Sequence, residues 1–287
     1  LMLIAQPAEE WKDSGAAAMR AAGIWERFGT PDFALGFHVA ADIEAGKLFA
    51  SRGAAYSAVD SLDIVVPGIG AHGASPHRGR DPIVIGAQIV MALQTIVARE
   101  VSPREPAVVT VGVFRAGNKR NVIGEEARLE LTVRSDSGQT RTQLLAAIER
   151  IAVNIGRAGG LPESQLPYIE LKGGVPVTEN NADMASQVLK AWADELGEEI
   201  IAVYEREGMG GEDFPFFTQE PLIPSVYFSV GGTPLARVAA FETQGRSLPS
   251  HHSPLFQVEP RPAVISGILG TVIALRSLMQ NRGIVDD

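Results

Sequence analysis

Short apolar runs, each closed by polar or glycine-rich residues, dominate the two ends of the chain, while its middle alternates apolar and polar residues singly or by helical turns. Leu1-Met2-Leu3-Ile4-Ala5 is too short for a helix and stops at Pro7, so it predicts a buried strand that delivers Gln6-Pro7-Ala8-Glu9-Glu10 to a rim. The alanine-rich stretch 16–22 predicts the helix that follows. A second run, Asp32-Phe33-Ala34-Leu35-Gly36-Phe37, predicts another strand ending at His38. Further on, a helix is expected from Asn181 or Asp183 through Trp192, strands at 200–204 and 225–230, and a buried helix over 263–275. This is α/β texture, in which ligands sit at the carboxyl ends of strands. A parallel strand as apolar as the first needs neighbours on both edges, so further strands are expected ahead of Leu1.

The middle reads differently. A strand at 62–66 leads to a helix with Asp81 as N-cap, Pro82 in its first turn and Ile85, Ile89, Leu93, Ile96 and Val97 at helical spacing. Strands at 108–114 and 127–133 follow, and in the second Leu129, Leu131 and Val133 alternate with Arg128, Glu130 and Thr132, which predicts a sheet with one wetted face. An amphipathic helix over 140–155 and a strand at 168–171 complete a ferredoxin-like order. The expected organisation is an α/β domain, 1–60 and 174–287, interrupted by an inserted α+β domain, 61–173.

Composition narrows the function more by exclusion than by suggestion. A hydrophobic share of 45% with 21% charged residues describes an ordinary globular chain. A net charge of −9 with no basic cluster excludes a nucleic-acid partner. With no cysteine, disulfides, thiolate metal sites and cysteine nucleophiles are all ruled out. The apolar stretch 263–275 is too short for a membrane span, and none is expected. The compartment is left open, with the cytoplasm as default.

The candidate chemistry lies in carboxylates and imidazoles. Adjacent Glu9 and Glu10 point different ways, so one can hold a metal while the other handles a proton, unless the pair is a solvated acidic loop. All five histidines, His38, His72, His77, His251 and His252, fall at predicted strand ends or in loops. Without thiolate, a divalent metal favours neutral imidazole plus carboxylate, and Glu10, His38 and one of His251 and His252 would supply three ligands.

The motifs Gln6-Pro7-Ala8-Glu9-Glu10, Gly36-Phe37-His38, His72-Gly73-Ala74-Ser75-Pro76-His77 with Asp81-Pro82-Ile83, Asn121-Val122-Ile123, Gly211-Glu212-Asp213-Phe214 and His252-Ser253-Pro254 occur in one order along the chain. Together they resemble the two-metal amidohydrolases and peptidases that include aminoacylase, hippurate hydrolase and the indole-acetyl-amino-acid hydrolases. The resemblance implies a zinc-peptidase-like α/β catalytic domain, incomplete at its N-terminus, with an inserted ferredoxin-like lid and dimerisation domain. It implies Glu9 as general base, Glu10, His38 and His252 as metal ligands, and two divalent ions, zinc first and manganese, cobalt or nickel as alternatives. His72 is implied to polarise the scissile carbonyl, in most members from the partner subunit of a homodimer formed through the lid. Asn121 and Arg134 match positions that bind substrate oxygen or carboxylate in some branches, although Arg134 at a strand end also fits a solvated charge. His77 reads as a structural loop residue.

Two departures stand out. The family's upstream metal ligands have no match here, and its Asn-Val-Ile-Pro is Asn121-Val122-Ile123-Gly124. The expected activity is hydrolysis of the amide of N-acyl amino acids by metal-activated water. The alternatives are an exopeptidase or carbamoyl-amino-acid hydrolase of the same fold, or a non-catalytic binding protein.

Overall fold

The computed structural model describes residues 1–10 and 14–280. The first elements are α1 (Gly15–Ala21), α2 (Ile24–Phe28), β1 (Ala34–Glu44), β2 (Leu48–Phe49), β3 (Ala54–Tyr56), β4 (Ala58–Pro67) and β5 (Ala71–His72). Next come α3 (Pro82–Thr95), β6 (Ala107–Ala116), β7 (Val122–Ile123), β8 (Glu126–Ser135), α4 (Gly138–Ala158), β9 (Tyr168–Val175) and β10 (Thr178–Glu179). The last are α5 (Ala182–Leu196), α6 (Pro215–Thr218), β11 (Ser225–Thr233), α7 (Leu235–Thr243) and α8 (Pro260–Gln280). They divide into two compact units.

One unit is Tyr56–Val177 with Met209–Glu212. Its four-stranded sheet runs β6-β8-β4-β9 with every neighbouring pair antiparallel, the ferredoxin-like order. The alternation on β8 has the expected consequence: Leu129, Leu131 and Val133 are buried with Leu62, Ile64 and Val66 of β4 beneath α3 and α4. The opposite face carries charge, with Arg128 2.9 Å from both Asp63 and Glu170 and Lys172 2.6 Å from Glu170. Asp81 caps α3, its Oδ1 accepting from the Ile83 N–H at 2.9 Å. A two-stranded ribbon, β5 with β7, projects His72 opposite Val122.

The described residues of the other unit lie in Leu1–Ala55, Thr178–Gly208 and from Asp213 on. Here β11 is central, parallel to β1 and antiparallel to β2. Helix α8 can approach this sheet closely because of its glycines: a Cβ on Gly270 would sit 2.7 Å from Leu48 Cδ1, and the Gly270 carbonyl accepts from Trp192 Nε1 at 2.8 Å. The side chain of buried Asn180 accepts from the N–H and donates to the C=O of Tyr227, fixing β11 against the start of α5.

Three expectations fail. Residues 1–5 form no strand; Leu1 and Leu3 are 98% and 94% exposed, because no described strand lies beside the run to complete its hydrogen bonds. Residues 200–204 also fail, with only a single bridge from Ile201 to Leu48, since β2 is two residues long and offers no ladder to extend. His38 does not end its strand; β1 continues to Glu44 beyond a register shift after Ala40. Helix α8 and the stretch 82–100 are long and apolar enough to cross a membrane by composition, but each packs one face into a core.

Candidate metal centre

The loop carrying the acidic pair is bent sharply at Ala8, whose φ of 55° makes it the only non-glycine residue among those described with a left-handed backbone. Glu9 and Glu10 follow directly. β1 brings His38 to them from its pairing opposite Ser229. The His38 Nδ1 lies 2.7 Å from the carbonyl oxygen of its neighbour Val39, which fixes the proton on Nδ1 and leaves the Nε2 lone pair outward. That Nε2 faces Glu10 Oε1 at 3.7 Å, while His252 Nε2 faces Glu10 Oε2 at 3.8 Å. Each imidazole thus faces a different oxygen of the one carboxylate, at separations a little longer than the roughly 3.3–3.5 Å between two ligands of one tetrahedral zinc. Ligand atoms of Glu9, Glu10 and His38 all lie within 4.8 Å of one another.

His251, the neighbour of His252 in sequence, stands edge-on to His38 with ring centroids 5.4 Å apart. Its Nε2 accepts from the Ala41 N–H at 3.1 Å, so that lone pair is unavailable to an ion. Burial first, and then the neighbouring His38, hold its pKa below the ordinary imidazole value, which keeps it a neutral acceptor.

In the other unit, exposed His72 has the opposite tautomer. Its Nδ1 accepts from the Ala74 N–H at 3.1 Å, which places the proton on Nε2 and makes that nitrogen a donor to solvent. Exposed Asn121 lies beside it, its carbonyl accepting from Gly73 N–H at 2.8 Å. Arg134 is half-buried and gives one N–H to the Met209 carbonyl oxygen at 2.5 Å, a hold on the segment 209–212 that sequence reasoning did not assign. His77 sits in a short turn, 76–78, of the same ribbon region.

A family model for the M20 peptidase dimerisation domain matches residues 51–159. N-acetyldiaminopimelate deacetylase of Leuconostoc mesenteroides is 35% identical over 231 residues, covering 80% of this chain and 58% of that protein. Hippurate hydrolase of Campylobacter jejuni is also 35% identical, covering 76% and 56%. A candidate aminohydrolase from methicillin-resistant Staphylococcus aureus superposes with a TM-score of 0.79 at 28% identity, over 94% of this chain and 64% of that one. This chain is similar to the M20 family. The Bacillus subtilis YXEP protein, a dinuclear metal-binding M20 peptidase, shares the fold with a TM-score of 0.70 over 96% of this chain and 63% of its own. This chain spans less than two thirds of the length of these relatives.

Asp213, in the Gly211-Glu212-Asp213-Phe214 motif, had no role in the sequence reading. Asp213 is buried, and its carboxylate accepts from Gln6 Nε2 at 2.7 Å, Ser14 Oγ at 2.7 Å and the Ala16 N–H at 3.1 Å. Only the tertiary fold brings these partners together; the motif itself gave no hint of them.

Proposed function

We propose that this chain carries the general base, three metal ligands and the lid of a hydrolase that cleaves the amide bond of N-acyl amino acids. The observation behind this reading is Glu10 placed between the outward lone pair of His38 and His252. Imidazole and carboxylate without thiolate suit zinc, with manganese, cobalt or nickel able to occupy the same donors. We take the loaded enzyme to hold two ions, with Glu10, His38 and His252 contributing to one of them. When bound, the metal supplies a Lewis acid that polarises the carbonyl and acidifies water.

Glu9, beside Glu10 and close to His38, takes the proton of the attacking water and passes it to the leaving nitrogen. His72, with Nε2–H outward, donates to the oxygen on which charge develops, acting from the partner subunit of a homodimer built through the lid. Asn121 beside it offers an amide to the substrate, and Arg134 keeps the guanidinium donors not spent on Met209 for a carboxylate. An N-acyl amino acid presents both a carbonyl oxygen and a carboxylate. The names of the deacetylase and hippurate hydrolase relatives support that substrate class.

Two substitutions in adjacent positions test the division of labour. Glu9→Gln is expected to bind zinc as the parent does and to lose at least about a hundredfold in kcat, the lower end of general-base contributions. Glu10→Gln is expected to lose zinc affinity. Comparable turnover in Glu9→Gln, or undiminished zinc binding in Glu10→Gln, would remove the assignment.

A further inference from the structure

We propose that Asp213 is a positioning residue that clamps both sides of the Glu9–Glu10 pair and so sets where Glu10 meets its metal. The inference rests on the metal-dependent reading above. Asp213 is 3% exposed, and a carboxylate that deep needs its oxygens satisfied. The donors come from two arms of one distant segment: Gln6 ahead of the acidic pair, and Ser14 with the Ala16 N–H after it. Both oxygens are engaged in these bonds, which tie the group to the loop.

Three further observations show that the clamp shapes the loop as well as anchoring it. The Ser14 hydroxyl donates to Asp213 while its oxygen accepts from Ala17 N–H at 3.1 Å, so the same side chain caps α1 and closes the clamp. The two arms touch: a Cβ on Gly15 would lie 1.6 Å from the Pro7 carbonyl oxygen, so no larger residue fits while they are drawn together. Ala8, next to Glu9, holds a left-handed backbone that an alanine adopts only when its surroundings over-determine it. Of the loop residues described between the clamped arms, Glu9 and Glu10 are the ones with titratable side chains. The clamp therefore acts on their placement through the backbone.

The test compares the parent enzyme with Asp213→Asn, which keeps size and loses charge and one acceptor. Three readouts are needed: zinc affinity by calorimetric titration, kcat and KM measured separately at saturating zinc, and a crystal structure of the variant. The expected result is a zinc affinity about 10- to 100-fold weaker, the usual range for groups that orient a metal ligand. At saturating zinc, kcat should stay depressed with KM unchanged, because Glu9 shares the loop. The crystal structure should show Glu10 moved from its 3.7 Å approach to His38. Should Asp213→Asn not fold, Gln6→Ala frees one arm from the same carboxylate and should shift zinc affinity and kcat in the same direction. Folded variants with parental zinc affinity and kcat would show a merely structural anchor and overturn the proposal. Should the parent itself bind no zinc and hydrolyse no N-acyl amino acid, the metal reading fails. The variant's crystal structure then still decides the clamp: displaced Glu10 supports it, and an unmoved Glu10 overturns it.

Discussion

The position of one proton separates the histidines by task. His38 spends Nδ1–H on the Val39 carbonyl and turns Nε2 toward Glu10, whereas His72 accepts at Nδ1 and keeps Nε2–H as a donor. His251 uses Nε2 to satisfy the N–H of Ala41, a residue 1% exposed. Replacing His251 by alanine leaves that buried N–H without its acceptor, and a cost of about 1–3 kcal/mol follows from the desolvation it can no longer recover. His252 is the contrast, with a side chain 80% exposed, so His252→Ala should change stability little and weaken zinc binding instead. Urea denaturation and zinc titration of the two variants check the pair, and a stability loss confined to His252→Ala would contradict it. None of this was legible from two adjacent histidines. The preference for His252 came from motif spacing, and the duty of His251 depends on a backbone group 210 positions away that folding alone brings near.

At the scale of elements, what could be read was what is set locally. The Asp81 cap, the alternation on β8 and the amphipathic helix α4 all specify their own conformation, and each is present. The runs 1–5 and 200–204 have equally apolar composition but depend on an adjacent strand, and a sequence window reports what a segment could bury without reporting whether a partner exists. The same distinction hides the tie between α4 and the sheet. Asp60, 1% exposed on β4, receives two bonds from Arg141 of α4, at 2.9 and 2.7 Å, and this pairing raises the arginine pKa. Arg141→Ala would strand a buried carboxylate, and a destabilisation of about 3 kcal/mol is expected. A chemical melt within experimental error of the parent would show that Asp60 finds water or another donor.

For the molecule as a whole, the outer face of α3 bears on assembly. Ile83, Val84, Ala87, Gln88, Met91 and Ala92 line a shallow groove of about 660 Å³, and Met91 is 71% exposed. An apolar face of this kind on a chain whose residues 51–159 match a dimerisation domain is the expected seat of a second copy. Met91→Glu should therefore sediment as a monomer at micromolar concentration where the parent sediments as a dimer. A parent that is monomeric and fully active would show that His72 has no partner to serve. The central claim, that a metal held in part by Glu10, His38 and His252 drives amide hydrolysis, is tested most directly on the purified protein with N-acetyl and N-benzoyl amino acids, counting metal alongside turnover. The account predicts stoichiometric metal, release of the free amino acid, loss of turnover when a chelator strips the metal, and recovery when zinc is returned. Turnover that survives complete removal of metal would contradict it.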